Sequence, residues 1–143
     1  MEEFTENLVA SSRIKYADFK ISTKIDVRTS MLADPVLLSS VFQNMIDNAY
    51  KYSKTGHKIL DIAIQQNKKN FVITFKDEGI GIEKAEFNNI FKKFYRIKSQ
   101  YNQQGSIGLG LAFCKEITEF IGGEITVKSQ LGQGTTFTLV FPV

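Results

Sequence analysis

The alternation of apolar and polar residues in two strand–turn–strand patterns constrains the fold of this chain most strongly. It predicts strands near 58–66 and 70–76, and again near 124–129 and 134–142, with only a few residues between the members of each pair. Links this short join antiparallel neighbours, because parallel strands need a much longer crossover. A fifth alternating segment, near 19–27, predicts one more strand.

Helical signals lie between these strands without alternating regularly with them. Asp34, in front of a proline, is a good N-cap for a main helix that runs to about residue 53. Further helices are predicted near 108–120, near 83–93 and at the N-terminus, the last with Thr5 as its N-cap. This order argues against a doubly wound parallel sheet. It predicts an α+β fold, a two-layer α/β sandwich with a mixed, mostly antiparallel sheet and helices on one face.

Composition fits a single folded domain over residues 1–143, since 43% of the residues are apolar and 23% are charged. No stretch approaches the ~20 consecutive apolar residues of a transmembrane helix, and the acidic start "MEEFTENL" does not resemble a secretory signal. The net charge of +3 is small and scattered, which argues against a nucleic-acid partner. The single cysteine, Cys114, fits a reducing compartment and is expected to be a buried, inert thiol. We therefore expect a cytoplasmic domain.

A polar stripe interrupts the apolar pattern of the main helix. Asn44, Asn48 and Lys51 follow one another at helical spacing and share one face. The stripe is either an ordinary solvated face or a binding site. Asparagine is a poor residue inside a helix, and two of them one turn apart cost about 1 kcal/mol relative to alanine. An amide oxygen can ligate Mg²⁺, and a lysine can contact phosphate.

Three glycine-rich stretches lie at the ends of predicted strands and helices: "DEGIGI" at 77–82, "GSIGLGLA" at 105–112 and "GQGTTF" at 132–137. Each one alone is consistent with turns. Each is also consistent with a backbone that approaches a ligand closely, and free N–H groups at a helix start favour phosphate. Neither of the first two stretches matches the dinucleotide fingerprint or the phosphate-binding loop of other nucleotide-binding proteins.

Taken in order, these features resemble the catalytic, ATP-binding domain of sensor histidine kinases, in the superfamily shared with gyrase-type and Hsp90-like ATPases. The resemblance extends from about Ala33 to Pro142. "NMIDNAYKYS" resembles the asparagine box, "DEGIGI" the first glycine box and "IFKKFYRI" (90–97) the phenylalanine box. "GSIGLGLA" and "GQGTTF" resemble the second and third glycine boxes. The resemblance implies a Bergerat-type ATP-binding fold.

At the adenine end of the pocket, the resemblance assigns a role to each matching residue. Asp77 would accept a hydrogen bond from the exocyclic amine, which a carboxylate can do because it offers only acceptors. Tyr52 would pack near the adenine, and Thr135 would help to hold the base next to Asp77. Gly79 and Gly81 would let the backbone lie against the nucleotide.

At the phosphate end, the resemblance implies that Asn48 ligates a Mg²⁺ ion that bridges the ATP phosphates, with Asn44 beside it. Lys51 would contact the phosphates and Arg96 would reach the γ-phosphate, so the catalytic residues are expected to be Asn48, Lys51 and Arg96. The second glycine box would bind the phosphates from the other side, through Gly105, Gly108, Gly110 and Leu111.

The phenylalanine box and the polar stretch after it are expected to form a lid. Phe91 and Phe94 would anchor one end of this lid, and residues 98–106 would close over the nucleotide. Ordinary core packing of both aromatic residues is compatible with that role. His57, the only histidine, is expected to be a plain loop residue rather than a phosphoacceptor.

No histidine precedes the asparagine box, so the dimerisation hairpin that carries the phosphorylated histidine in this family is expected to lie outside this chain. The chain is therefore expected to bind Mg-ATP but to be inactive in autophosphorylation by itself. Its implied partners are ATP, the hairpin of the parent protein and a cognate response regulator. The parent is expected to be a homodimer, and such parents are often anchored in the membrane.

Two alternatives to a histidine kinase remain at this stage. An ATPase or chaperone of the same superfamily would generally carry a glutamate one turn before the magnesium asparagine, where this chain has Asn44. A nucleotide sensor or an interaction module without kinase activity is the second alternative. A degenerate site would have lost residues that contact the phosphates. Here the residue types expected at those positions are all present, which argues against this alternative.

Overall fold

A computed structural model describes residues 1–96 and 110–143, and the bounds of its elements are as follows. The helices are α1 (Glu2–Lys15), α2 (Pro35–Lys51) and α3 (Gly110–Phe120), with a 3₁₀ turn at Lys84–Glu86, and the strands are β1 (Lys20–Asp26), β2 (Ile59–Gln66), β3 (Asn70–Asp77), β4 (Glu124–Gln130) and β5 (Gly134–Pro142).

The five strands form one mixed sheet in the order β1-β2-β3-β5-β4. β1 pairs with β2 in parallel, and the other three pairings are antiparallel. The two short links, between β2 and β3 and between β4 and β5, join antiparallel neighbours as the sequence predicts. The predicted mixed, mostly antiparallel sheet is confirmed.

The core lies between the sheet and the helices, because each strand places every second side chain on the same face. These inward side chains are fully or nearly fully buried in the three central strands: Leu60, Ile62 and Ile64 from β2, Phe71, Ile73 and Phe75 from β3, and Phe137, Leu139 and Phe141 from β5. The apolar stripe of α2 covers them with Leu38, Val41, Phe42, Met45 and Ile46. The opposite face of the sheet is richer in threonine and lysine. The predicted two-layer sandwich is therefore confirmed.

The start of α2 follows the predicted capping chemistry. The Asp34 side chain accepts hydrogen bonds from the backbone N–H groups of Val36 (2.8 Å) and Leu37 (3.3 Å), and Pro35 occupies the first helical position. At the other end, Tyr52 N–H donates to the Asn48 carbonyl at 3.2 Å and closes the last turn. The polar stripe is thus held on one rigid helix.

Two predicted helix features are wrong. Thr5 is not an N-cap, because α1 already begins at Glu2 and Thr5 N–H donates to the Met1 carbonyl. Its side chain is fully buried on the face that packs on the core. The predicted helix near 83–93 reduces to the 3₁₀ turn and a series of single turns. Adjacent asparagines, Asn88 and Asn89, disfavour a continuous helix there.

The end of α3 agrees with the prediction, since Gly122 takes a positive φ of 95° and Gly123 N–H donates to the Thr118 carbonyl at 2.8 Å. Cys114 is fully buried on this helix, as expected, and burial raises the pKa of its thiol to about 12. Within the described ranges, no helix is long and apolar enough to cross a membrane.

Candidate functional site

Three polar side chains occupy inward positions at one end of the sheet, where the apolar alternation stops. Asp77 ends β3, Thr135 is the second residue of β5 and Ser129 lies near the end of β4. The strand register pairs Ser129 with Thr135, and Thr135 lies next to Asp77 across β3 and β5. All three face the helical layer, so this end of the core has a polar wall.

Asp77 is the buried acid of this wall, with only 8% of its surface exposed. Its Oδ1 accepts hydrogen bonds from the backbone N–H groups of Gly79 (2.9 Å) and Thr135 (3.2 Å). Burial raises the pKa of the carboxyl from 3.8 to about 6, and these two N–H donors offset part of that effect. Both bonds end on Oδ1, so Oδ2 remains as an acceptor for another group. A buried acid with a perturbed pKa is typical of a functional site.

The first glycine box is packed tightly against the protein's own backbone. A Cβ atom at Gly79 would overlap the carbonyl oxygen of Tyr52, and one at Gly81 would overlap the carbonyl oxygen of Gln130. Gly81 also has a positive φ of 74°. The structure therefore gives these glycines a role that the sequence did not suggest, which is close packing between the loop after β3, the end of α2 and the β4–β5 turn. Their contact with a nucleotide stays a prediction.

This packing brings the polar stripe of α2 close to Asp77. Ile80 N–H donates to the Tyr52 carbonyl at 3.1 Å, directly after the last turn of α2. Tyr52 is partly buried at this junction. The polar end of the sheet and the stripe on α2 thus border one region.

The amide of Asn44 has a fixed orientation at the start of α3. Its Nδ2 donates to the Ser40 carbonyl at 3.0 Å, and this carbonyl can only accept. Oδ1 therefore points the other way, to within 3.4 Å of where a Cβ atom of Gly110 would be. Asn48 lies one turn further along α2 and is also partly buried. The stripe thus presents amide oxygen between α2 and α3.

Two positively charged residues, Lys51 and Arg96, interact at the end of α2. The Lys51 Nζ lies 5.1 Å from the centre of the Tyr52 ring. Burial, and then the positive charge of Arg96, lower the pKa of Lys51. Burial raises the pKa of Tyr52, which the charge of Arg96 opposes, so Arg96 acts on both residues. An anion bound here would interact favourably with both positive charges.

The phenylalanine box divides into an anchored part and an exposed part. The Phe91 ring packs edge-on against Phe137 at 6.2 Å between centroids, and Lys93 forms a 3.1 Å ion pair with Glu116 of α3. Phe94 is 70% exposed and has a positive φ of 65°. Phe91 therefore packs on the core, whereas Phe94 does not. Their role as the anchor of a lid stays a prediction.

Part of the predicted site lies outside the described residues: Ile97, the stretch 98–106, Gly105 and Gly108. Gly110 is described at the start of α3 beside Asn44, and Leu111 is a partly buried residue packed against the core. His57 lies on an exposed loop, as expected, where its Nε2 pairs with Glu78.

On the α2 stripe, the possible ligands for a metal ion are the side-chain amide oxygens of asparagine. In the described ranges, no group of three or more histidine, cysteine, aspartate or glutamate side chains could hold a metal ion. A hard ion such as Mg²⁺ accepts amide and phosphate oxygens, and it often binds with few protein ligands. The amide oxygens of Asn44 and Asn48 therefore fit a metal ion whose other ligands include the phosphate oxygens of a bound molecule.

Ser129 is the site residue that the sequence reasoning missed. Its hydroxyl lies within hydrogen-bond distance of Ile82 N (2.7 Å), the Gly134 carbonyl (2.8 Å) and Thr135 Oγ1 (2.8 Å). A signal was present in the sequence. Ile125 and Val127 occupy the inward positions of β4, and Ser129 is the next inward position but is polar.

Comparison with known proteins adds an independent finding. Residues 33–143 match the family model described as "Histidine kinase-, DNA gyrase B-, and HSP90-like ATPase". The chain is 40% identical over 107 residues to the sensor histidine kinase WalK of Bacillus subtilis, which covers 73% of this chain and 18% of WalK. It is 46% identical over 99 residues to the histidine-protein kinase ArlS of Staphylococcus epidermidis, which covers 68% of this chain and 22% of ArlS. The chain therefore spans about a fifth of the length of these relatives.

Solved structures show the same architecture. The mycobacterial sensor histidine kinase MprB matches with a TM-score of 0.85 at 24% identity, over 99% of this chain and 93% of that chain. Full-length ShkA in complex with AMPPNP matches with a TM-score of 0.81 at 23% identity, over 99% of this chain and 29% of that chain. At these identities the likeness shows the fold, and this fold agrees with the predicted sandwich.

Proposed function

Because the chain belongs to the family of histidine kinase-, DNA gyrase B- and HSP90-like ATPases, we propose that it binds Mg-ATP as the catalytic domain of a two-component sensor histidine kinase. Its relatives WalK and ArlS are histidine kinases, and the related ShkA was solved with the ATP analogue AMPPNP. The reaction would be transfer of the γ-phosphoryl group to a histidine on another segment of the parent protein. A response regulator would then take the phosphoryl group from that histidine.

One observation carries this proposal: the loop after a buried carboxylate with an acceptor to spare is bonded to the end of α2, where the charge of Arg96 acts on Lys51. Asp77 would accept the amine of adenine through Oδ2, and Thr135 beside it would border the base. Lys51 and Arg96 would bind the phosphates, because both side chains are positively charged and donate hydrogen bonds. Tyr52 lies between these two ends of the region, where it can border the base.

The amide oxygens of Asn48 and Asn44 would hold the metal ion at the phosphate end. A bound Mg²⁺ would neutralise negative charge on the phosphates. The chain's own residues would then act by position and charge: Lys51 and Arg96 would stabilise negative charge on the transferred group, and Asn48 would fix the geometry. The backbone at the start of α3, from Gly110 and Leu111, would border the phosphates.

The side chain of Asn44 favours a kinase over a hydrolase. An amide cannot take a proton from water, and its Nδ2 already donates to the Ser40 carbonyl. In ATPases of the superfamily a glutamate generally has this position. We therefore propose that the nucleophile is a histidine supplied by another segment, and that the chain by itself does not autophosphorylate.

The test combines this chain, Mg-ATP and a separately produced histidine-bearing hairpin from the parent protein. We expect acid-labile phosphate on the hairpin and none on this chain alone. The Asn48→Ala variant should lose this transfer, and its ATP affinity should no longer depend on magnesium. ATP binding without transfer to any such hairpin would instead support a nucleotide sensor. Steady release of phosphate without the hairpin would support an ATPase.

A further inference from the structure

The Ser129 hydroxyl is bonded on all sides within the polar wall. Its three neighbours are the backbone N–H of Ile82, the carbonyl oxygen of Gly134 and the hydroxyl of Thr135, at 2.7, 2.8 and 2.8 Å. A serine hydroxyl has one proton to donate and two lone pairs with which to accept. Three neighbours therefore use its complete capacity.

The chemistry of these neighbours determines the direction of each bond. The Ile82 N–H can only donate, so Ser129 accepts there. The Gly134 carbonyl can only accept, so Ser129 gives its single proton to that oxygen. Ser129 has no second proton for Thr135. Since the two hydroxyl oxygens are 2.8 Å apart, the proton between them must come from Thr135.

The Thr135 hydroxyl therefore donates its single proton to Ser129. Its remaining lone pairs are all that its hydroxyl can offer to a ligand beside Asp77. The ionised carboxyl of Asp77 also offers only acceptors. This end of the pocket therefore presents acceptors to the edge of a base, and it suits an amino group rather than a carbonyl group.

We propose that Ser129 is a positioning residue for base selection: it orients the Thr135 hydroxyl as an acceptor, so that the site prefers a 6-amino purine over a 6-oxo purine. This inference rests on the proposed binding of ATP. Without Ser129, the Thr135 hydroxyl could rotate and donate to a carbonyl at position 6. Ser129 itself need not touch the nucleotide.

Inosine triphosphate is the probe, because it has a carbonyl in place of the amino group at position 6; its N1 also carries a proton where the N1 of ATP has a lone pair. The measurement is the ratio of the affinities for ATP and inosine triphosphate, by calorimetric titration of this chain. Wild type should prefer ATP. Ser129→Ala should narrow the ratio by about threefold to tenfold, the effect of about one hydrogen bond. Ser129→Thr, which keeps the hydroxyl, should restore the ratio.

A merely structural role for Ser129 predicts another result. In that case Ser129→Ala weakens both nucleotides by the same factor and leaves the ratio unchanged, which would overturn the inference. Wild type that binds neither nucleotide would overturn the proposed function, and the inference with it.

A second variant keeps the inference testable if Ser129→Ala does not fold. Thr135→Val has almost the same shape but neither donates nor accepts. It should weaken ATP and leave inosine triphosphate unchanged. If it weakens inosine triphosphate as much as ATP or more, then Thr135 does not select the amino group and the inference is wrong.

Discussion

Burial raises the pKa of the Asp77 carboxyl to about 6, even though two backbone N–H groups donate to it. The ionised form is the one that can accept from an amine, and it is also the form that burial disfavours. The same carboxyl therefore favours binding and disfavours folding at neutral pH. A ligand with an amino group would compensate for this cost when it binds.

The first prediction concerns the stability of an Asp77→Asn variant. A carboxyl whose pKa is raised from 3.8 to about 6 destabilises the fold fully above pH 6, and this cost disappears as the pH falls below 3.8. The amide has no charge to bury and keeps an oxygen for both N–H donors. We therefore expect the variant to be more stable than wild type by about 1–3 kcal/mol at pH 8, and equally stable near pH 4.

Urea unfolding of both proteins across this pH range measures the difference. Asp61→Asn is the control, because Asp61 lies on the exposed face of the sheet and keeps its contact with water. Unlike Asp77→Asn, the control variant should not be more stable than wild type at pH 8. A variant at position 77 that is less stable than wild type at pH 8 would show that the ionised carboxyl stabilises the fold.

The second prediction concerns the pH dependence of binding. Adenosine is the appropriate probe, since it has no phosphate groups that titrate. If the ionised Asp77 accepts the amine, the affinity should fall by about tenfold between pH 7 and pH 5, because protonation replaces a lone pair with an O–H group. Calorimetry can follow this change. Asp77→Asn should bind weakly and show a flat profile, and a flat profile in wild type would remove Asp77 from the site.

At the scale of elements, the loop after β3 is held from two sides. Ile80 N–H bonds to the Tyr52 carbonyl after α2, while Gly132 N–H donates to the Ile80 carbonyl at 2.8 Å from the β4–β5 turn. Gly81 fits between these elements, since a Cβ atom there would overlap the backbone of Gln130. The loop therefore fixes the position of α2 relative to the polar wall.

The third prediction compares two glycines with the same backbone conformation. Gly81 has a φ of 74° and Gly56 a φ of 75°, but a Cβ atom at Gly56 would meet nothing within 4 Å. Gly56→Ala should therefore cost only the strain of a left-handed residue, about 1–2 kcal/mol. Gly81→Ala adds the overlap with the Gln130 carbonyl and should cost about 3 kcal/mol or more. Equal losses in urea unfolding would mean that the loop shifts freely.

The sequence predicted elements well where one periodicity decided them. Alternation gave the strands, and Asp34 with its following proline gave the start of α2. The helix predicted near 83–93 was wrong, because Asn88 and Asn89 disfavour a continuous helix there. Contacts between segments far apart in the sequence could not be predicted from local patterns. Gly79, which packs against the Tyr52 carbonyl, is an example.

The site was predicted residue by residue only through the order of its motifs. Asp77 and Thr135 came from the resemblance, and the structure adds that they are bonded to each other. The orientation of the Asn44 amide and the bonding of Ser129 follow from which neighbours can donate and which can only accept. That information exists only after folding, because Ser40, Ile82 and Gly134 acquire their roles as neighbours through helix and strand geometry.

At the scale of the whole molecule, the two layers contribute different ends of one region. The sheet supplies the acceptors of Asp77 and Thr135. The helical layer supplies the amides of α2 and the charge of Lys51. Arg96, near the end of the phenylalanine box, adds a second positive charge. A ligand with a base at one end and phosphates at the other would join the two layers.

The last prediction separates these ends with two partial ligands, adenosine and inorganic triphosphate. Either one at a hundredfold excess over its Kd should add about 2.7 kcal/mol to the free energy of unfolding. Asp77→Asn should lose the stabilisation by adenosine and keep that by triphosphate, because the changed group lies at the sheet end. Lys51→Gln should do the reverse, because the lost charge lies at the end of α2. Thermal unfolding of the two variants with each ligand gives all four comparisons. If each variant loses the stabilisation by one ligand only, as expected, then adenine binds at the sheet and phosphate at the end of α2. If one variant loses the stabilisation by both ligands, the two ends do not act independently.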